Sequence, residues 1–147
     1  MVPIKLPGFV LSVGLIAAVN LCQAQSNVAA ILDAGGKQLG KAELASLLKN
    51  ATVRNRDDQN ARQTIAFKAD GTMTGRGISS TFHEYTYHGE WKATDTDQIC
   101  FDTLTYFGRS SYCEAMYRVG ETYFYASDPA GKIGRDHKVF ERNISKP

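Results

Sequence analysis

From Gln63 onward the chain is dominated by period-two alternation. The clearest case is the segment 83–92: His83, Tyr85, Tyr87, Gly89 and Trp91 share one side, and Glu84, Thr86, His88, Glu90 and Lys92 share the other. Aromatic residues facing in and charged residues facing out predict a half-buried antiparallel strand. Two earlier strands, 63–69 and 72–78, flank Asp70-Gly71, which predicts a two-residue hairpin turn with positive φ at both positions. In that register Ala69 faces Thr72, Phe67 faces Thr74, and Ile65, Phe67 and Ala69 share one side. Asp95-Thr96-Asp97 turns the chain again. Segments 99–104 and 112–119 form a further hairpin, and Gly120-Glu121 leads tightly into 122–126. Asp128-Pro129-Ala130-Gly131 is another turn, and 138–142 is a last strand.

Ahead of the strands the periodicity is helical. Gly40 stands where an N-cap would, and Glu43 supplies a capping-box carboxylate. Leu44, Leu47 and Leu48 then make one apolar stripe, predicting a helix over 41–49 that Asn50 ends. Such a helix is too short to be stable alone and must pack on something. Residues 26–36 are ambiguous: Val28, Ile31 and Leu32 have helical spacing, and Gly35-Gly36 stops them. Short strands punctuated by turns every 8–12 residues or so indicate a mainly β fold. We expect an antiparallel meander forming a small barrel or a sandwich, with a short N-terminal helix that plugs one end or covers a face. Closure is attractive because it removes exposed edges.

Register assigns faces to the later strands. Around the Gly120-Glu121 turn, Tyr117 opposes Phe124 and Val119 opposes Thr122, so Cys113, Ala115, Tyr117 and Val119 share a side with Phe124 and Ala126. That side is expected to be the core. The other side carries Tyr112, Glu114, Met116, Arg118, Tyr123 and Tyr125. Tyr, Met and Arg are enriched at interfaces, which makes Tyr112, Met116, Arg118, Tyr123 and Tyr125 a candidate interaction surface. The ordinary reading is that Met116 packs on Tyr125 and Arg118 on Tyr123 as cross-strand pairs.

The first residues concern address. Segment 1–24 carries one cation, Lys5, then an apolar run from Phe9 to Cys22 that ends at Cys22-Gln23-Ala24, so small residues stand at −3 and −1 before Gln25. This fits a secretory leader over 1–24 with one β-rich domain over 25–147, and a periplasmic or secreted destination. The run is too short for a comfortable membrane span, and no second one follows. A lipidated Cys22 is the alternative, although Val19-Asn20-Leu21 matches that pattern poorly. Cleavage leaves Cys100 and Cys113. In an oxidising compartment two lone cysteines most simply form one disulfide. With the loop between their strands centred on Tyr106-Phe107, Cys100 lies directly opposite Cys113.

The 147-residue chain has a formal net charge of +2, about +1 without the leader, which gives no electrostatic reason to invoke nucleic acid. Its most basic stretch, 54–62, is interrupted by Asp57 and Asp58 and reads as a solvated turn. His83 and His88 fall on opposite faces of one strand, so no metal site is expected, and no cofactor is implied. Ser79, Ser80, Ser110 and Ser111 lie outside any nucleophile elbow, and Gly75-Arg76-Gly77 lacks the strand–loop–helix setting of a phosphate cradle. Glu84 and Glu90 sit roughly 20 Å apart along a strand, too far for a glycosidase pair. No catalytic residue is identified.

From Gly35 onward several features recur in a shared order: Gly35-Gly36-Lys37-x-Leu39, Ala42-Glu43-Leu44 with Leu47-Leu48, Asp70-Gly71-Thr72, Gly89-x-Trp91, Cys100, Cys113 and Gly120-x-x-Tyr123. In these the chain resembles a set of small exported bacterial proteins of unknown function; the stretch 76–88 does not align with them. The resemblance implies a secreted β-rich domain with one bridge and transfers no catalytic residue. A looser similarity, in size and architecture only, is to small periplasmic barrels that inhibit lysozymes or proteases.

The expected function is therefore that of an exported, non-enzymatic binding or interaction module, inhibitor-like, whose partner is a protein of the cell envelope. One alternative is a carrier of a small apolar ligand, which needs an enclosed cavity of several hundred Å³ or so; a centre filled by Trp91, Phe67 and Tyr117 argues against it. The other is a hydrolase, which needs convergent acid, base or nucleophilic groups in a cleft.

Overall fold

The computed structural model describes residues 26–56, 61–79, 81, 83–106, 108–128 and 130–147. The expected leader with Cys22 lies outside the described residues, as do Asp57, Asp58, Ser80, Phe107 and Pro129. In chain order the elements are α1 (Val28–Asp33), β1 (Lys37–Gln38), α2 (Lys41–Leu48), β2 (Thr52–Arg56), β3 (Arg62–Phe67) and β4 (Thr72–Ile78). They continue with β5 (Glu84–Ala93), β6 (Ile99–Thr105), β7 (Gly108–Val119), β8 (Thr122–Asp128) and β9 (Phe140–Ser145). Each strand from β2 to β8 pairs antiparallel with the next, and β9 pairs with both β8 and β2. The result is a closed eight-stranded up-and-down barrel rather than a sandwich. No described helix is long and apolar enough to cross a membrane.

Helix α2 closes one end. The Gly40 N–H donates to Glu43 Oε2 at 3.1 Å, as the capping-box spacing predicts, and Asn50 ends the helix at φ 58°. Leu44 and Leu48 are buried against Leu39, Val53, Ile65, Phe67, Met73, Ile99 and Met116. Phe67 meets Trp91 edge-on, with ring centroids 5.7 Å apart. The α2 half of the barrel is thus packed with apolar side chains. The ambiguous segment before it is helical: Asn27 Oδ1 accepts from the Ala30 N–H at 2.9 Å, and the Val28 and Ala29 N–H groups donate to the carbonyls of His137 and Arg135.

Inside and outside are reversed on β7 and β8 relative to the sequence reading. The barrel interior receives Tyr112, Glu114, Met116 and Tyr125, with Met116 at 0 % and Tyr125 at 5 % exposure. Ala115, Tyr117 and Ala126 face outward, where α1 and Val139 cover them in a second small core around Val28 and Ile31. Both sides of these strands are buried, so alternation alone could not tell which side faces the barrel axis. Phe67 and Trp91 do lie inside, and Tyr117 does not.

Two local readings are also corrected. The hairpin after β3 places Phe67 opposite Met73, not Thr74. Lys68 and Thr72 close a three-residue loop in which Gly71 has φ +84°, and Asp70 is not in the left-handed region. This is a turn followed by a glycine bulge. Thr52–Arg56 is a strand rather than a solvated turn, and it is the strand that closes the barrel. Cys100 does lie opposite Cys113, and the two form a disulfide on the outer face.

Candidate functional site

Beyond the apolar half the barrel interior turns polar. Register aligns Asn55 of β2 with Gln63 of β3 on one side and Arg142 of β9 on the other. Tyr85 and Tyr87 enter from β5, Tyr112 and Glu114 from β7, and Tyr125 from β8. Arg142 reaches past Tyr125, its guanidinium carbon 3.9 Å from the ring centroid, and Nη1 donates to Glu114 Oε2 at 2.7 Å. Asn55 Nδ2 donates to the Tyr125 hydroxyl at 3.2 Å, and Gln63 Nε2 to that of Tyr85 at 3.2 Å.

Glycine makes room for the tyrosines. Gly75 lies opposite Tyr87 and Gly77 opposite Tyr85. A Cβ at either glycine would run into the facing phenol ring. The two rings stack with centroids 6.2 Å apart. The Gly75-Arg76-Gly77 run is thus a seat for aromatic rings, with Arg76 pointing outward.

Burial acts on the ionisation of Tyr87, Tyr112 and Arg142 in this cluster. It pushes the Tyr87 phenol well above its ordinary value, with the neighbouring Tyr112 and Tyr85 adding to the effect. It does the same to Tyr112, helped by the Glu114 carboxylate. Burial works against the Arg142 cation, but Glu114 beside it outweighs that and holds the guanidinium firmly charged. Three buried polar atoms have no hydrogen-bond partner among the described residues: Asn55 Oδ1, the Tyr87 hydroxyl and Arg142 Nε. Their residues are 8 %, 5 % and 3 % exposed.

The five residues expected to form an outer surface divide. Tyr112, Met116 and Tyr125 point into the barrel, and a protein partner cannot touch Met116 there. Arg118 is exposed and Tyr123 half-buried at the α2 end, where they help line a groove with Glu43 and Leu47. The expected pairings do occur, Met116 opposite Tyr125 and Arg118 opposite Tyr123. Asn55, Glu114 and Arg142 were not anticipated as site residues. One signal could have found Glu114. Carrying the parity of β5 across the turn at 94–98 puts Cys100 beside Lys92 on the charged face, and hence Cys113 outward and Glu114 inward.

The histidines stay apart: His83 contacts Thr81 Oγ1 at 2.9 Å, His88 is exposed on the outer face, and His137 pairs with Asp128 at 3.2 Å. Among the described residues no group of three or more His, Cys, Asp or Glu could hold a metal ion. No protein-family model, curated protein or solved structure matches this chain.

Proposed function

We propose that the chain is an exported, non-enzymatic binding module that holds a small, flat, uncharged ligand in the polar half of its barrel. The observation that carries this reading is the set of unpartnered atoms on Asn55, Tyr87 and Arg142. A buried polar group left without a partner costs roughly 1–3 kcal/mol, and a ligand that supplied the partners would recover that energy. Asn55 and Arg142 are direct cross-strand neighbours, so a free acceptor stands beside a free N–H donor. Their complement is an N–H next to a carbonyl, the edge of a cyclic amide or a nucleobase-like ring. Tyr85, Tyr87, Tyr112 and Tyr125 offer aromatic faces to such a ring. The Glu114–Arg142 charges cancel, which favours a neutral ligand.

Binding is favoured over catalysis because the Tyr87 and Tyr112 phenols are held protonated and Glu114, the one buried carboxylate among the described residues, is occupied by Arg142. Export is supported by the leader-like segment, by the disulfide and by the resemblance to small exported bacterial proteins. An apolar carrier is disfavoured by the packing of the α2 half.

The test is a thermal-shift and calorimetric panel of 2-pyridone, uracil, indole, phenol and laurate against the oxidised protein. The cyclic amides should bind and raise the melting temperature. Tyr87→Phe should weaken that binding while leaving the ligand-free protein as stable or more so, since the lost hydroxyl has no partner. Binding of laurate alone, or binding insensitive to both Tyr87→Phe and Asn55→Ala, would overturn the reading.

A further inference from the structure

The outer face of β2, β3 and β4 presents arginines in a regular arrangement. Outward positions alternate with the inward ones already described, so Arg54, Arg62 and Arg76 all point to solvent. Register places Asn143, Arg54, Thr64, Arg76 and Thr86 in one row across β9, β2, β3, β4 and β5. In the next row Arg56, which has contacts of its own, lies directly opposite Arg62. Neighbouring strands are about 4.8 Å apart and outward residues of one strand about 7 Å apart. Arg54, Arg62 and Arg76 therefore root within about 10 Å of one another. None of the three forms an ion pair among the described residues, although other surface cations such as Lys37, Lys41, Arg109 and Arg135 do. Arg54, Arg62, Thr64 and Asn143 also line an open groove of about 570 Å³, with Glu141 the one carboxylate on its described lining.

We propose that this face binds an anionic polysaccharide. Guanidinium forks engage sulfate, phosphate or carboxylate groups in bidentate fashion. The threonine and asparagine side chains between them suit sugar hydroxyls. The rows carry no aromatic side chain and Phe140 is the one aromatic residue on the groove's described lining, which disfavours single-stranded nucleic acid, whose successive bases each need a stacking face. Ile78 is their one large apolar residue, too little to enter a membrane. Asn55, Gln63 and Phe140 line the same groove, so it opens beside the polar end of the barrel; the three arginines themselves face outward, and the proposal stands whether or not the interior holds a ligand.

The test is calorimetry of the oxidised protein with dextran sulfate, using uncharged dextran, oligothymidylate and phosphatidylglycerol vesicles as comparisons, at about 150 mM salt. Dextran sulfate should bind and dextran should not. The Arg54→Gln/Arg62→Gln/Arg76→Gln protein should lose roughly tenfold or more in affinity. The Arg109→Gln/Lys132→Gln/Arg135→Gln protein, with the same change in net charge elsewhere on the surface, should keep it. The triple Arg→Lys variant of the first set retains charge and folding, and should show an intermediate loss. Equal loss in both glutamine triples, or absence of dextran sulfate binding, would overturn the proposal. Tighter arginine-dependent binding of the oligonucleotide or the vesicles would overturn it too, by assigning the face to another class of partner.

Discussion

Arg142 and Glu114 meet at 2.7 Å inside the barrel from strands β9 and β7, with β8 between them, and their side chains are 2 % and 5 % exposed. Two charges so placed depend on each other. Desolvation of either one alone is costly, and the mutual attraction offsets it only while both are present. Glu114→Gln should therefore destabilise the protein by about 3–5 kcal/mol, because it leaves a buried, unpaired guanidinium. The double variant Glu114→Leu/Arg142→Met should be less harmful than either single change. Urea denaturation of the parent, the Glu114→Leu and Arg142→Met single variants and the double variant checks this, with Glu114→Gln beside them. Additive losses would mean that the pair is not coupled.

Gly75 and Tyr87 predict a steric effect with a rescue. Gly75→Ala drives a methyl into the Tyr87 ring across the β4–β5 pair. Overpacking of this kind costs about 1–3 kcal/mol. Tyr87→Leu in the Gly75→Ala background should recover part of that loss, as measured by denaturation and by the near-ultraviolet circular dichroism of the tyrosines. A Gly75→Ala protein as stable as the parent would mean that the ring has somewhere else to go.

What the sequence disclosed and what it concealed follow from one physical limit. Period two reports two faces and does not name them. Where one face is charged, as along β5, the inward side is plain from Tyr85, Tyr87 and Trp91. Along the second half of β7 both faces are buried, one by the barrel and one by α1, and the alternation of Ala115 and Tyr117 with Met116 is equally consistent with either. Strand β2 was hidden for a related reason: its second inward residue is Asn55, so an inward position looks solvent-facing. The turn at Gly120 and the pairing of Cys100 with Cys113 were legible because loop length alone sets them. The interior cluster was not, since buried Asn, Glu and Arg resemble surface residues until their partners, far apart in sequence, are brought together.

The disulfide predicts a stability change that should leave the site intact. Cys100 and Cys113 lie on the outer face, directly opposite each other, and are 13 positions apart in sequence. In the chain-entropy model closing such a loop stabilises by about 3 kcal/mol. The Cys100→Ala/Cys113→Ala protein should unfold at lower urea by that amount, with the native tyrosine environment unchanged before the transition. If the near-ultraviolet spectrum of the folded state also changes, the bridge shapes the interior as well.

The buried phenols set an upper pH limit on the fold. Burial holds the Tyr87, Tyr112 and Tyr117 phenols above the ordinary value of about 10. A group whose folded pKa is raised favours its protonated form in the native state. Its stabilising contribution is complete below the unfolded value and is lost as pH climbs toward the folded one. Stability should therefore be level with respect to these groups below about pH 10 and fall above it, as unfolded chains gain phenolates that the native state resists forming. Tyr87, Tyr112 and Tyr117 should ionise only as the protein unfolds. Ultraviolet difference titration beside far-ultraviolet circular dichroism follows both events. Loss of secondary structure should coincide with the phenolate signal of these three residues. Tyr87 and Tyr112 ionising near pH 10, with the fold retained, would show that water reaches the polar half of the barrel freely and would remove the basis for a desolvated site there.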